Sequence, residues 1–518
     1  MSKKTDIIII GMGPVGAYLA ALCGQIGLSV CVLEKEAAVY DKPRAIVLDF
    51  EVLRLLNYLS IAEDILKTSV PALDYDFLNK DFEILSSRQQ PQGVSPTGYH
   101  FANLFYQPDM EVAVRKKVSE LSNIEVTLNC EAESFSQSDE GVSVTLRTAD
   151  GVETIEGKYL VGCDGAHSMA RTQLGIELED LNFSEPWMVV DTYIPAGQDT
   201  ISKNAQQLCD PDRPTTCVPS GLNRRRWEFM LKPHEKHEDV TQIPFIKELI
   251  RSWIDPEKVE IVRNAVYQFN GKIANQWRDN RVLLVGDAAH QMPPFMGQGL
   301  CAGIRDAANL AWKLGAVIKG TSPESLLDTL QIERRPHVRA VTQGAITMGE
   351  IVCLTDPVKV AERDRKMIES RKSGKPFELP VVPKIEHGIL SAPSAGHVLP
   401  EGFLDINGEH VRVDDITGMV PLLIIKDVNN LTPSDWEAIE LLQAQSPNLR
   451  LCHLEGDNAA SLKLLDPYKY LHMMMENVEA LLSKPDRIIF GSGSLPLLAE
   501  KWRSYNTGID LEDLREAG

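Results

Sequence analysis

The glycines near the amino terminus have the spacing of a phosphate-binding turn. They form a G-x-G-x-x-G pattern between a β-branched run, residues 7–10, and a helical segment. The first glycine permits a sharp turn, the second lets the backbone approach a pyrophosphate, and the third lets the helix pack closely on the strand. The positive end of the helix dipole then faces the phosphates. The pattern predicts a bound dinucleotide rather than a purely structural turn, with contacts from Gly11, Gly13, Pro14, Val15 and Gly16.

An acidic residue ends the second predicted strand, residues 29–33. Glu34 can accept hydrogen bonds from ribose hydroxyls, and we count its neighbour Lys35 among the cofactor contacts. A carboxylate at this point favours a free 2′-hydroxyl, so FAD or NAD fits the site better than NADP. The turn alone does not decide between FAD and NAD.

Two later segments favour FAD. Residues 162–171 read Gly-Cys-Asp-Gly-Ala-His-Ser-Met-Ala-Arg, and residues 286–294 read Gly-Asp-Ala-Ala-His-Gln-Met-Pro-Pro. Together with the glycine turn, they resemble in order and spacing the three signature segments of the class A flavoprotein aromatic hydroxylases, the para-hydroxybenzoate hydroxylase group. The resemblance implies a single extended FAD that all three segments bind.

The segment Gly286-Asp287 follows a run typical of a buried strand, residues 281–285. A carboxylate at that position can accept hydrogen bonds from the ribityl or ribose hydroxyls of FAD. The alternative for Asp287 is a helix N-cap ahead of the next residues. We favour the cofactor role.

A glycine-rich loop precedes a long predicted helix, residues 299–318. Backbone N–H groups and the positive dipole end at this helix start can face the flavin N1–C2=O edge, where reduced flavin is anionic. The resemblance implies that Gly297, Gly299 and Leu300 lie at this edge and that the Pro294 carbonyl lies near the flavin carbon that carries the peroxide. Cys301 stands where para-hydroxybenzoate hydroxylase has an asparagine. A plain loop is the alternative.

Four further polar residues match family positions less specifically. Arg44 matches an arginine near the FAD phosphates, which a guanidinium fork suits, and Gln107 matches a glutamine that contacts the ribityl chain. Asp164 and Arg171 belong to a segment that the family ties to FAD and the nicotinamide. The alternatives are a surface arginine for Arg44, a polar helix start for Gln107, a turn for Asp164 and an ion pair for Arg171.

His290 is the one candidate proton carrier in these segments, since deprotonating a phenol would make its ring more nucleophilic. Its place beside Asp287 also fits a packing role, which we favour. No histidine pair has zinc spacing, so we expect no metal site. Ser168 lacks the strand-to-helix G-x-S-x-G setting of a nucleophile.

Residues 207–216, 223–230 and 303–314 resemble the 3-(3-hydroxyphenyl)propionate hydroxylase branch of the family. The resemblance covers residues 5–350 well and the remainder in outline. It implies a thioredoxin-like carboxy-terminal domain. Because the chain has no C-x-x-C pair, that domain cannot run dithiol–disulfide exchange, and we expect a structural or interface role.

The predicted elements give an α/β fold with three units. A Rossmann-like FAD-binding domain covers residues 1–180 and 276–390, and it includes a helix over residues 14–26. A mainly antiparallel β-sheet domain for the substrate, residues 181–275, is inserted into it. A linker over residues 374–400 leads to the thioredoxin-like domain, residues 391–518, with strands near residues 422–426 and 450–454.

The three consecutive arginines, residues 224–226, follow the turn-like residues 221–223. They could bind a substrate carboxylate, but a solvated hairpin turn is the interpretation we favour. We expect the substrate between the middle sheet and the flavin, in a largely apolar pocket with few polar anchors.

Charge and composition exclude several classes. The 518 residues carry a net charge of −20, which argues against a nucleic-acid or anionic-membrane surface. The nine cysteines are scattered, as reduced cytosolic thiols are, and no apolar stretch is long enough for a membrane span. We expect a cytoplasmic protein, and self-association into a homo-oligomer stays open.

The sequence predicts an FAD-dependent monooxygenase that uses NADH or NADPH and O2 to hydroxylate a phenol resembling 3-(3-hydroxyphenyl)propionate through a flavin C4a-hydroperoxide. A flavin-linked reductase or dehydrogenase of the same fold is the first alternative. A non-catalytic flavin-containing interaction protein is the second. No second G-x-G-x-x-G is present, which suits transient binding of the nicotinamide.

Overall fold

The computed structural model describes residues 3–39, 44–91, 93–149, 151–374, 377–390 and 392–507. The strands in these residues are β1 (Lys3–Ile10), β2 (Val30–Leu33), β3 (Val47–Asp49), β4 (Val70–Pro71), β5 (Tyr75–Leu78), β6 (Ile84–Arg88), β7 (Ala102–Leu104), β8 (Ile124–Thr127), β9 (Glu131–Ser138), β10 (Gly141–Thr148), β11 (Gly151–Gly162), β12 (Leu178–Tyr193), β13 (Ala205–Leu208), β14 (Thr215–Pro219), β15 (Arg224–Met230), β16 (Glu260–Ala274), β17 (Arg278–Asp279), β18 (Val282–Leu284), β19 (His290–Gln291), β20 (Phe403–Ile406), β21 (Glu409–Arg412), β22 (Leu422–Asp427), β23 (Arg450–Glu455), β24 (Leu462–Lys463), β25 (Ala480–Ser483) and β26 (Ile489–Gly493).

The α-helices in the same residues are α1 (Pro14–Gln25), α2 (Phe50–Asn57), α3 (Ala62–Leu66), α4 (Gln107–Glu120), α5 (Met169–Gln173), α6 (His237–Val240), α7 (Ile243–Ile250), α8 (Gly299–Ile318), α9 (Thr329–Val352), α10 (Pro357–Lys372), α11 (Val413–Thr417), α12 (Pro433–Gln445), α13 (Tyr470–Met474) and α14 (Leu495–Thr507). Short 3₁₀ turns lie at Pro256–Lys258, Gly286–Ala288, Pro294–Met296, Glu324–Asp328 and Val428–Asn430.

The first sheet is built on the predicted strand–helix–strand start. Strand β1 pairs in parallel with β2 and β11, and β2 pairs in parallel with β8. Residues 7–10 are buried on both faces, as a β-branched run in a covered parallel sheet should be. Helix α1 begins with Pro14 in its first turn, where the missing N–H costs nothing. The predicted helix over residues 14–26 is confirmed to within one residue.

The second sheet is mainly antiparallel and carries eight strands in the order β19-β16-β12-β15-β14-β13-β5-β6. Its long strands β12 and β16 lie within a few residues of the predicted range 181–275. Strands β5 and β6 come from residues 75–88, upstream of that range, and β5 joins the sheet in parallel with β13. The sheet therefore draws on two separate stretches of chain, and the domain boundaries remain a prediction.

One face of the second sheet is an apolar core and the other lines a cavity. Cys217, Trp227 and Phe229 pack under the helix α7 with other buried apolar side chains. Because side chains alternate along a strand, the residues between them point to the opposite face. That opposite face includes Thr216, Val218 and the intervening residues of β15.

The interpretation of residues 224–226 as a solvated turn is wrong. The turn itself ends at Asn223, and the arginines begin strand β15. Arg225 is fully buried and its Nη2 lies 2.9 Å from Asp199 Oδ2, while Arg226 is 3% exposed and forms an ion pair with Asp191. Buried arginines in a protein interior need carboxylate partners, and the carboxylates come from distant segments that the local pattern does not reveal.

The carboxy-terminal unit has the predicted thioredoxin-like topology. Its five-stranded sheet has the order β24-β23-β22-β25-β26. Strands β22 and β23 are parallel and joined by α12, whereas β25 and β26 form an antiparallel hairpin followed by α14. The predicted strands at residues 422–426 and 450–454 are present as β22 and β23. Residues 375, 376 and 391 of the predicted linker and residues 508–518 of this domain lie outside the described residues.

All nine cysteines are free thiols. No helix in the described ranges combines the length and apolar character needed to cross a bilayer.

Candidate active site and cofactor cleft

A single large cavity of about 1030 Å³ joins the three predicted cofactor segments to the second sheet. Its walls include the glycine turn, the loop after β18 and the start of α8. The second sheet forms its floor through β5, β14 and β15. The thioredoxin-like unit closes one side with side chains of α13, among them Tyr470 and Met473.

The glycine turn leaves open space where a pyrophosphate would approach. A side chain at Gly13 would meet nothing within 4 Å, and Gly13, Pro14 and Val15 line the cavity. At Gly11, which has φ +98°, a Cβ would lie 2.5 Å from the Cys163 carbonyl oxygen. Only glycine therefore fits there. A Cβ at Gly16 would meet the Gly11 oxygen at 2.0 Å, so the helix packs on the turn as the motif predicts.

Glu34 ends β2 with its carboxylate close to the glycine turn. Its Oε2 accepts a hydrogen bond from the Met12 backbone N–H at 2.6 Å, and its Oε1 accepts from the Glu36 N–H at 2.9 Å. The side chain is buried, so it holds the turn in place and has remaining acceptor capacity for a ribose. Lys35 beside it is exposed.

Asp287 faces the cavity at the end of the loop after β18. Its side chain is accessible from the cavity. Because protein surrounds the cavity, the carboxylate is partly desolvated, and this raises its pKa. Within the described residues, its carboxylate accepts no hydrogen bond from the protein. Gly286 before it has φ +61°, a backbone conformation that glycine adopts at low cost. The predicted N-cap alternative is weakened because Asp287 caps no helix.

The start of α8 presents free backbone amides to the cavity. No side chain caps this helix, and Gly299 and Leu300 line the cavity. Gly297 has φ +66°, and a Cβ there would lie 2.6 Å from the Val47 side chain. Pro294 also lines the cavity, and the following Phe295 packs edge-on against Trp187 of β12 with ring centroids 5.5 Å apart. The loop ahead of α8, residues 293–298, therefore packs on the second sheet.

Arg44 and Gln107 lie together on the cavity wall. The Gln107 Oε1 accepts hydrogen bonds from the backbone N–H groups of Arg44 and Ala45 at 2.9 and 2.6 Å, and its Nε2 donates to Glu111. The side chain of Gln107 thus fixes the Arg44 loop. Arg226 Nη1 donates to the Arg44 carbonyl at 2.5 Å, which ties the same loop to the second sheet.

Arg171 links two of the signature segments. Its Nη1 donates to the Ala288 carbonyl and its Nη2 to the Ala166 carbonyl, both at 2.8 Å. Asp164 accepts from the Ala170 N–H through Oδ2, and its Oδ1 has no partner among the described residues. Asp164 lies beside the cavity wall formed by Cys163 and Gly165 rather than on it. The ion pair foreseen as the alternative for Arg171 is replaced by these two carbonyl contacts.

His290 lies behind the Asp287 loop and does not line the cavity. Its Nε2 is 2.6 Å from Asp306 Oδ2, and Arg334 Nε lies 2.8 Å from the other carboxylate oxygen. Burial alone would raise the pKa of Asp306, but its contacts with His290 and Arg334 lower it to about 2. Asp306 also accepts from the Gly286 N–H at 3.2 Å. The network thus supports the loop that carries Asp287, and a proton-carrier role for His290 remains a prediction.

The polar floor of the cavity was not foreseen from sequence. Tyr75 of β5, Thr216 of β14, and Arg226 and Glu228 of β15 line it. The signal present in the sequence is a glutamate between two aromatic residues, Trp227-Glu228-Phe229, which alternates onto the cavity face. Burial raises the pKa of Glu228 to about 7, an effect that Arg226 partly offsets.

These residues fit an extended FAD. Open space lies over Gly13, an unpartnered carboxylate at Asp287 faces the cavity, and the uncapped amides of α8 lie at its inner end. Phosphates, ribityl hydroxyls and an anionic flavin edge are the groups that these three features would bind.

Comparison with known proteins agrees with this geometry. A family model described as FAD binding domain matches residues 4–345. The chain is 36% identical to a probable NADH-specific resorcinol 4-hydroxylase of Rhodococcus jostii over 419 residues, which is 80% of this chain and 78% of the relative. It is 32% identical to a 3-(3-hydroxy-phenyl)propionate/3-hydroxycinnamic acid hydroxylase of Klebsiella pneumoniae over 523 residues, 94% of this chain and 92% of the relative.

Solved structures share the fold over nearly the whole chain. Aklavinone-11 hydroxylase with FAD and aklavinone gives a TM-score of 0.78 at 21% identity and covers 98% of this chain and 99% of that one. The flavin-dependent monooxygenase PieE with FAD and substrate gives 0.80 at 19% identity, over 97% and 99%. The predicted fold class is thereby confirmed. The chain belongs to the FAD-dependent aromatic hydroxylases that carry this FAD binding domain.

Proposed function

We propose that this enzyme hydroxylates a phenol with a second substituent meta to its hydroxyl group, with NADH and O2 as co-substrates. Resorcinol and 3-(3-hydroxyphenyl)propionate, the substrates in the names of the two relatives, share this pattern. The observation that carries the proposal is the continuous cavity from the glycine turn, past the start of α8, to the polar floor of the second sheet. The choice of NADH rests on the name of the Rhodococcus relative.

Several residues of the cleft would hold the cofactor. The amides around Gly13 and the Arg44 guanidinium would bind the pyrophosphate, and Asp287 would accept from ribityl hydroxyls. The amides of Gly299 and Leu300 would stabilise negative charge on the flavin edge. The chemistry that bound FAD supplies is acceptance of a hydride from the nicotinamide and activation of O2.

The chain itself orients the ring and limits water access. Phe295, Met296 and Val218 give the inner cavity apolar walls, and exclusion of water protects a reactive oxygen species from side reactions. The polar floor offers partners for the phenol hydroxyl. We assign His290 a positioning role, because it does not line the cavity and its Nε2 contacts Asp306. A cytoplasmic location remains a prediction that the nine free thiols support.

A panel of phenols tests the proposal. NADH oxidation by the FAD-loaded enzyme should be stimulated by resorcinol and by 3-(3-hydroxyphenyl)propionate, and less by 1,3-dimethoxybenzene, which has no ionisable hydroxyl. Under ¹⁸O2 the product should gain one labelled oxygen atom. Replacement of NADH by NADPH measures the nicotinamide preference. Phenol-stimulated NADH oxidation without incorporation of labelled oxygen would favour the reductase alternative and contradict the proposal.

A further inference from the structure

One buried carboxylate on the cavity floor has no role in the cofactor cleft. Glu228 lies in β15 opposite Thr216 of β14 and opposite Val189 of β12. The residue is 5% exposed, and it lines the cavity. Among the described residues, its carboxylate has no hydrogen-bond partner. The nearest cation is Arg226, whose Nη1 lies 3.8 Å from Glu228 Oε1.

The other carboxylates on the cavity wall are already engaged or belong to the cofactor site. Asp49 caps α2 through the Val52 N–H and pairs with Arg305. Glu51 also pairs with Arg305, at 2.6 Å. Asp287 lies at the predicted ribityl position. Among the described carboxylates that line the cavity, Glu228 alone lies on the cavity floor without a hydrogen-bond partner.

The charged groups around Glu228 leave its carboxylate available. Arg226 is committed to Asp191 through Nε and Nη2 at 2.7 and 3.1 Å and to the Arg44 carbonyl through Nη1. Arg263 of β16 also binds Asp191, at 3.1 Å. From β5, Tyr75 donates its hydroxyl to Gln207 at 3.2 Å. Burial raises the pKa of that tyrosine, and the negative charge of Glu228 adds a smaller contribution.

The fold also places Glu228 near the loop ahead of α8, residues 293–298. Phe295, which follows Pro294, packs against Trp187, and Trp187 is the strand partner of Met230. Met230 and Glu228 are two residues apart in β15 and therefore point to the same face of the sheet. A ring bound between this face and the start of α8 would therefore lie on the side of the sheet that carries the Glu228 carboxylate.

We propose that Glu228 is the general base that takes the phenolic proton of the substrate during hydroxylation. The phenol O–H bond breaks, a new O–H bond forms on the carboxylate, and the electron pair stays on the phenolic oxygen, which makes the ring a stronger nucleophile. After the ring is hydroxylated, the product oxygen takes the proton back, so the residue is unchanged over a turnover. This inference rests on the proposed function.

The protonation behaviour of the site agrees with this role. A general base works best when its pKa lies near the working pH, and burial brings the pKa of Glu228 to about 7. A base must be deprotonated to accept a proton. The rate of hydroxylation should therefore rise with pH through about 7 and then level off.

The test compares Glu228→Gln with the wild type and with Glu260→Gln, the same change at an exposed carboxylate of the same sheet. In single turnovers of FAD-loaded, NADH-reduced enzyme with resorcinol and O2, Glu228→Gln should hydroxylate at about one-hundredth of the wild-type rate at pH 7. Its rate should rise only as the phenol itself ionises, near pH 10. A more acidic fluorinated resorcinol should recover much of the lost rate. The Glu260→Gln variant should keep the wild-type pH profile.

Different failures have different readouts. If the wild type gives no oxygenated product, the proposed function falls, and this inference falls with it. If the wild type hydroxylates while Glu228→Gln keeps both its rate and its rise near pH 7, the general-base role alone is contradicted. Flavin absorbance checks that the variant is loaded. Should Glu228→Gln not fold, Glu228→Asp serves as the test variant. It should hydroxylate more slowly than the wild type but keep the rise in rate near pH 7. Loss of that rise would contradict the general-base role.

Discussion

At the scale of single residues, Asp287 gives the most direct test of the cofactor cleft. Replacing Asp287 with Ala removes a carboxylate that faces the cavity without a protein partner. A hydrogen bond to a charged group contributes about 1.5–3 kcal/mol, so the Kd for FAD should rise about 10- to 100-fold. Flavin absorbance of the purified protein and titration of apoprotein measure this.

The exposed Asp81 provides a control for Asp287, since Asp81→Ala removes a carboxylate from a turn outside the cavity lining. The control should keep wild-type flavin content. Full flavin occupancy in Asp287→Ala would contradict the assigned ribityl contact.

His290 tests the difference between a positioning residue and a proton carrier. His290→Ala leaves Asp306 with Arg334 as its remaining side-chain partner and opens a gap beside the Asp287 loop. Losing one member of a buried charged network costs about 3–5 kcal/mol. We expect a lower melting temperature and weaker FAD binding, with the pH dependence of hydroxylation in the loaded enzyme unchanged. A flattened pH profile at an unchanged melting temperature would instead assign His290 the proton-carrier role.

Local patterns predicted some site residues and could not predict others. Gly11 and Asp287 belong to short motifs whose chemistry depends on adjacent residues. The role of Glu228 depends on which face of β15 meets the cavity, and Arg226 depends on Asp191, which lies 35 positions earlier. The cofactor contact of Gln107 stays a prediction, and its contact with the Arg44 backbone, 63 positions away, has no local signal. Such pairings exist only after the strands are assembled.

At the scale of elements, the start of α8 depends on a glycine. Gly297→Ala would combine a left-handed φ of +66° with a Cβ 2.6 Å from the Val47 side chain, so the loop ahead of the helix must move. Gly320→Ala is a matched control, because Gly320 has φ +72° but open space around its Cβ. Both variants should lose about 1 kcal/mol of folding free energy from backbone strain. Only Gly297→Ala should also weaken FAD binding, by about 10-fold or more, because it shifts the amides of Gly299 and Leu300.

Thermal unfolding and flavin titration of the two glycine variants separate strain from displacement. Equal flavin affinities in both variants would mean that the position of the α8 amides contributes little to cofactor binding.

Elements held by local periodicity were predicted closely, and elements held by distant pairing were not. Helix α8 has the predicted bounds, because its apolar spacing and preceding glycines act within one segment. Strand β5 joins the second sheet only through its parallel partner β13, about 130 residues later. No local signal in residues 75–88 specifies that neighbour.

At the scale of the whole molecule, two buried ionic clusters lock the thioredoxin-like unit to the FAD-binding part. In one cluster, Arg54 of α2 binds Asp414 through two nitrogens, and Arg487 binds the same carboxylate. In the other, Glu333 of α9 lies between Lys313 and Lys484. The absence of C-x-x-C predicted a structural role for this unit, and these clusters support it.

We expect the Glu333 cluster to make the two units unfold together. Lys484 and Tyr505 of the thioredoxin-like unit reach Glu333, and the surrounding lysines lower the pKa of its carboxyl to about 2 although the site is buried. Because this pKa lies below the ordinary value for glutamate, the stability from the group is complete above about pH 4.5 and is lost as the pH falls towards 2.

Replacing Lys484 with Met should lower the free energy of unfolding by about 3 kcal/mol at pH 7. It should also flatten the acid limb of stability, since part of the stabilisation of the carboxylate is gone. A matched control is Lys501→Met, because Lys501 pairs only loosely with a neighbouring exposed glutamate, Glu500. Urea unfolding followed by flavin fluorescence and by circular dichroism should give one coincident transition in the wild type. Separate transitions for flavin release and loss of the carboxy-terminal sheet would show that the unit folds independently and would contradict the role of the cluster.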